Sequence, residues 1–327
     1  MIKYFSKSYF SRYAWLLTIV VVSWLPQFIH PGECEGFPSY LFLPCQSLFN
    51  SFPIVGIIFT LLVYVFSIFF LNFISIEHHI SGKVNTLPIF IYILFTASLS
   101  AYFTTNSFVW ISLLLLWMLR HCLSLYQREN SITNALNAGL LLSVASFFYP
   151  PLIYLILLIW FSLLLHRVNS WRAYVSGLLG LLGPYVFLLT WFFMTDQFKS
   201  ATANFVGEIL PVVNFKLDLP WAELVVFILL LVLGILFSVK LASSLGEKNI
   251  NLRRNLFILL LFFAFQLLLI LIFNKSSLAF MLLGIPYAFI VSHQLVLLKK
   301  TRLINLILLL ITLFIVGNHL MILFNAY

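Results

Sequence analysis

The feature that most constrains this chain is a rhythm: apolar runs of roughly twenty residues recur from end to end, broken by short polar segments. Inside hydrocarbon the backbone N–H and C=O groups find no water, so a crossing segment must satisfy them itself, as an α-helix. At 1.5 Å per residue, about 20 residues bridge an apolar layer of about 30 Å. Eleven spans are predicted, over residues 12–29, 53–76, 87–104, 107–125, 132–149, 151–166, 173–194, 220–239, 255–273, 278–297 and 303–323. The expected fold is all-α and integral to the membrane: a polytopic helical bundle of about 11 transmembrane helices in a single transmembrane domain, 1–327.

The charge supply agrees. Only 8% of residues are charged and 63% are hydrophobic, whereas soluble domains carry about 25% charged residues to cover a water-facing surface. The formal net charge of +9 invites a nucleic-acid reading, but the cations come in small groups between spans and form no continuous basic face. Lys3, Lys7 and Arg12 ahead of an apolar run resemble a signal peptide. Trp24, Pro26 and His30 stand where an A-x-A-type cleavage site belongs, so the run is read as a retained first span.

Lysine and arginine concentrate on the cytoplasmic side of membrane proteins. With the N-terminus inside and the C-terminus outside, every Lys and Arg except Lys199, Lys216 and Lys275 falls in an inner segment. The acids divide the other way: Glu33, Glu35, Asp196, Glu208, Asp218 and Glu223 lie outside. The two sizeable outer segments are then 30–52 and 195–219.

The first of these, HPGECEGFPSYLFLPCQ at its start, holds the candidate chemistry. Glu33 and Glu35 point to opposite sides of an extended chain, so one can enter a cavity as a general base while the other meets water; the alternative is two solvated surface acids. Cys34 and Cys45 share this loop, either as a disulfide worth about 3 kcal/mol in an oxidising compartment or as two unpaired small residues. In the second segment, Phe198, Phe205, Val206, Ile209 and Leu210 share one side, predicting a short interfacial helix stopped by Pro211. Asp218 and Glu223 flank the start of the next span around Pro220, where a helix N-terminus attracts acids, and capping is the expected role of both.

The spans carry almost no charge in their middles, which speaks against a proton-coupled transporter. The seven histidines show no metal-ligand spacing, and no metal or other cofactor is expected. In AYVSGLLGLLGPY, Ala173/Gly177 and Ser176/Gly180 are small residues four apart, a pattern that lets helices approach closely in lipid, and Pro184 predicts a kink.

Residues 134–194 resemble a segment of the GT-C membrane glycosyltransferases: a small-residue-rich span turning at Pro150-Pro151, an oily return, a short basic inner loop with Arg167 and Arg172, and a Gly-rich span ending near Pro184-Tyr185. The wider layout over 1–220, with outer loops 30–52 and 195–219, is similar too, leaving four additional helices in 220–327. The chain also resembles an uncharacterised family of bacterial inner-membrane proteins of about 300 residues. The GT-C likeness implies transfer of sugar from a polyprenyl-phosphate donor at the outer face of the inner membrane. It implies Glu33 or Glu35 as base and Lys199, Lys216 or Lys275 as lipid-phosphate ligands. The first outer loop is short for that family, and Gly-Glu-Cys-Glu-Gly is not its Asp-Glu context. Two alternatives stand beside it: a non-catalytic scaffold subunit of an envelope-assembly or secretion complex, and an uncoupled lipid or solute transporter. The partners expected are membrane lipid, a polyprenyl-linked donor or other envelope membrane proteins, and no nucleic acid.

Overall fold

A computed structural model describes residues 5, 10–29, 42–82, 85–126, 131–210, 220–273, 277–298 and 302–325. They form helices, and no strand occurs among them. In chain order these are α1 (Phe10–Ile29), α2 (Phe42–Ser51), α3 (Pro53–Glu77), α4 (Leu87–Ala97), α5 (Ser107–Leu123), α6 (Ser131–Phe148), α7 (Ile156–Leu165), α8 (Trp171–Met194), α9 (Phe198–Ile209), α10 (Trp221–Ser244), α11 (Ile250–Ile272), α12 (Gly284–Leu297) and α13 (Arg302–Asn325). Tight 3-10 turns, Pro150–Leu155 and Ser277–Leu283, lead into α7 and α12.

Each predicted span contains a helix. Seven helical stretches are long and apolar enough to cross a membrane, and shorter apolar helices cover 87–97, 107–123, 150–165 and 304–319. The chain is a multi-pass helical membrane protein. The third predicted span is the clearest departure: its α-helix stops at Ala97, and Ser98 turns its hydroxyl onto the Phe95 carbonyl before a 3-10 turn at Ser100–Phe103. Asn106 then caps α5 by accepting from the Val109 N–H at 3.2 Å. The interfacial helix predicted after the seventh span is α9, which folds back so that Phe205 meets Tyr185 edge-on at 5.3 Å.

The stretch Ser277–Leu297 forms the axis, with 89% of its span buried against 22% for α8. Around it α4, α10 and α11 close a core filled by Tyr64, Tyr92, Phe95, Phe262 and Tyr287. Phe187, Trp191 and Met194 of α8 remain largely exposed, as side chains facing lipid do. The small residues of α8 do what their spacing predicts. A Cβ on Gly180 would stand 2.3 Å from the Leu136 carbonyl oxygen, and one on Gly139 would stand 2.2 Å from that of Gly177. Helices α6 and α8 therefore touch backbone to backbone, and Ser176 donates to the Ile132 carbonyl at 3.0 Å.

Cross-helix bonds mark the two ends of the bundle. At one end Arg120 grips Glu77, His121 meets Asn134 and His293 meets the Ile80 carbonyl. At the other, Tyr149 donates to the Phe273 carbonyl, His319 to that of Ala97, and Glu223 joins α10 to α13 and to the 3-10 turn at Ser100–Phe103. Arg167, Lys248, Arg253 and Arg254 gather at the first, which is called the basic end below.

Candidate functional site: a cavity at the basic end

Two of the helices that reach the basic end finish in the same unusual way. After α3, the His79 N–H bonds to the Ile76 carbonyl and the Ile80 N–H to that of Ser75; after α7, Arg167 bonds to Leu164 and Val168 to Leu163. Both are Schellman closures, which need a left-handed residue one past the cap, a place glycine usually takes because it has no Cβ to clash. Here the residues are His79, with φ of 51°, and Arg167, with φ of 55°. Asp196 closes α8 likewise, but a short polar Asp tolerates that conformation better than Arg does. The apolar closing residues are buried: Ile80 at 0% and Val168 at 9% exposure. The chain thus turns inward immediately after each strained residue, leaving His79 and Arg167 at the surface of the bundle end.

Between them lies a cavity of about 1100 Å³, lined by His78, His79, His166, Arg167, residues 248–252, Arg254 and Asn255. A smaller one of about 260 Å³ adjoins it through His78, His79, His166, Asn251 and Asn255. Three cationic side chains, Arg167, Lys248 and Arg254, face the larger space, and no carboxylate is among its described lining residues. The acid bordering the smaller one, Glu77, already accepts from Nε and Nη2 of Arg120, at 2.9 and 3.0 Å. Residues 248–252 are the approach and first turn of α11, whose N-cap Asn249 makes no side-chain cap. The first N–H groups of that helix therefore add positive potential on the same side. Burial, reinforced by the neighbouring Arg254, pushes His166 down to about 4, and burial lowers His78 as well. Among the described residues no three His, Cys, Asp or Glu side chains gather as metal ligands. The arrangement presents hydrogen-bond donors and positive charge to an anion.

None of the sequence-predicted site residues is among the described lining of these cavities. Glu33, Glu35, Cys34, Lys216 and Lys275 lie outside the described residues, and the Cys34–Cys45 pairing with them. Lys199 is exposed on α9 and lines neither apolar hollow beside that helix. Asp218 also lies outside. Glu223 corrects the capping expectation: it sits in the first turn of α10, yet at 1% exposure its carboxylate accepts from the Ser100 N–H (3.2 Å), the Ser100 hydroxyl (2.6 Å) and the Asn318 amide (3.0 Å). It staples α10 to α13 and to the 3-10 turn that follows α4.

A sequence family of unknown function, DUF6427, matches residues 40–324. The chain belongs to that family. The match extends over α3, α7 and α11, so every element that lines the basic cavity falls within the DUF6427 region. No curated protein matches the chain, and no solved structure does. The likeness to uncharacterised membrane proteins agrees with this membership, while the comparisons add nothing to the GT-C resemblance.

Proposed function

We propose that this DUF6427 protein binds a phosphate-bearing ligand in the basic cavity, at the cytoplasmic end of an eleven-span bundle of the bacterial inner membrane. The observation that carries the reading is the convergence of Arg167, Lys248 and Arg254 on a cavity whose described lining holds no carboxylate. A guanidinium presents a fork that matches phosphate geometry, and the open first turn of a helix is a natural anion seat. Left-handed Arg167 strengthens the reading, because glycine would hold that turn at lower conformational cost and would remove the cation.

Calorimetric titration of the purified full chain in detergent with inorganic pyrophosphate tests it. Binding is expected to weaken with added salt, and by about 10-fold or more in Arg254→Gln and Lys248→Gln. No binding by the wild type, or variants that bind equally well, sinks the proposal.

Sugar transfer from a polyprenyl-phosphate donor at the opposite face is a second reading. The feature that favours it is an apolar hollow of about 710 Å³ on the α6 and α8 flank, walled by Phe147, Phe187 and Trp191, which suits a long hydrocarbon chain. Lipid-linked sugars measured in a deletion strain complemented with Glu33→Gln or Glu35→Gln decide it: a normal profile with both variants ends the catalytic role.

A further inference from the structure

The ligand's chemical class can be taken further, on the strength of the anion-binding reading above. A second hollow, of about 400 Å³, shares Arg167, Ile250 and Arg254 with the basic cavity. Its remaining walls are Leu164, Leu165, Leu245, Phe257 and Arg253. Cations therefore sit along one border, and hydrocarbon makes up the rest. Leu164 of α7 and Phe257 of α11 are 58% and 39% exposed, so the hollow opens on the flank of the bundle rather than into its axis. On an apolar span end, that flank meets lipid. A water-soluble phosphate would leave the apolar walls, Leu164, Leu165, Leu245 and Phe257, without a partner. A phosphate attached to a hydrocarbon chain meets both requirements at once.

We infer that the basic cavity receives the headgroup of an anionic lipid. Its phosphate lies between Arg167 and Arg254, and its chain enters sideways between α7 and α11 along Leu164, Leu165, Leu245 and Phe257. The shared arginines are the joint between the two spaces. The rest of the basic cavity's lining, with Lys248, His79 and the first turn of α11, adds further donors and positive charge, which favours a doubly charged phosphate monoester over a singly charged diester.

The test uses the full chain in detergent micelles, with dioleoyl phosphatidate and dioleoyl phosphatidylglycerol followed by native mass spectrometry, and glycerol 3-phosphate and pyrophosphate followed by calorimetry. Phosphatidate is expected to bind about 10-fold or more tighter than glycerol 3-phosphate, because its chain buries several methylenes, and tighter than phosphatidylglycerol. Leu164→Trp and Phe257→Trp, each filling the hollow from a different helix while keeping it apolar, are expected to bring phosphatidate down to the level of the soluble phosphate and to leave pyrophosphate binding intact. Arg167→Gly is expected to weaken both. Glycerol 3-phosphate binding as tightly as phosphatidate, or phosphatidate binding that neither tryptophan touches, overturns the lipid inference and leaves the anion site standing. Loss of every anion in the wild type overturns both.

Discussion

The two ends of this bundle treat charge in opposite ways. At the far end one described acid, Glu223, is sunk to 1% exposure, and three donors from two other segments close on it, while Asp196 and Lys199 stay exposed at the surface. Trp24, Phe103 and His319 pack edge to face around the same region, with centroids 5.9 and 5.4 Å apart. At the basic end the cations border open space, and two helices stop on residues that strain the backbone. A closed, satisfied cluster such as that around Glu223 stabilises the bundle. Like charges gathered around an open cavity repel one another, which costs stability.

The contrast can be broken first at its closed end. Glu223→Ala is expected to destabilise the bundle by about 2–3 kcal/mol, since Ser100 and Asn318 lose their acceptor in a buried place. Glu223→Gln, which retains an acceptor oxygen, should cost less. Denaturant unfolding in detergent measures both, and pyrophosphate binding by the alanine variant should match wild type.

Acidification probes the open end. The imidazole of His166, held near 4 by burial and by Arg254, is neutral in the folded protein at pH 7, while an unfolded histidine titrates near 6.5. His78, Glu77, Cys122, Arg167 and Asn255 are the other groups around it. Between about 6.5 and 4 the unfolded chain binds the extra proton, so stability falls as pH drops through that window. A loss of about 1–2 kcal/mol between pH 7 and pH 5 is expected, flattened in His166→Gln. An unchanged pH profile in that variant contradicts the assignment.

Smaller still is the ion pair of Glu77 and Arg120, each about one-third exposed. Although the contact is two-pronged and Arg120 also lies 5.2 Å from the Phe73 ring, Glu77→Gln should cost under about 1 kcal/mol, and less in high salt.

Much of the fold is legible in the sequence because lipid leaves the backbone so few choices. Apolar runs become helices, and cations from separate polar breaks, Arg120, Arg167, Lys248, Arg253 and Arg254, gather at one end of the bundle. Gly180 and Ser176 also announce their tight contact, since only small residues four apart permit it. The basic cavity is hidden for a different reason. His78-His79, Arg167 and Lys248–Arg254 lie in three separate breaks, and each alone reads as an ordinary positively charged turn; only packing of α3, α7 and α11 brings them together. The left-handed turns are masked as well, because His and Arg occupy places where glycine would have flagged them. Glu223 misleads through position: three residues into a helix it looks like a dipole partner, and its real partners are more than ninety residues away in either direction. The acids that draw the eye, Glu33 and Glu35, lie outside the described residues.

Arg167→Gly addresses the central claim most directly, because it separates stability from function in one variant. Thermal unfolding of wild type and variant would be followed with and without pyrophosphate. Without ligand the variant is expected to be at least as stable as wild type, by up to about 1 kcal/mol, as the left-handed strain is relieved. With ligand the order should reverse, because only the wild type gains stability from binding. A variant that is less stable without ligand and gains as much from pyrophosphate as the wild type would show that Arg167 holds the fold rather than the anion, and would contradict the account.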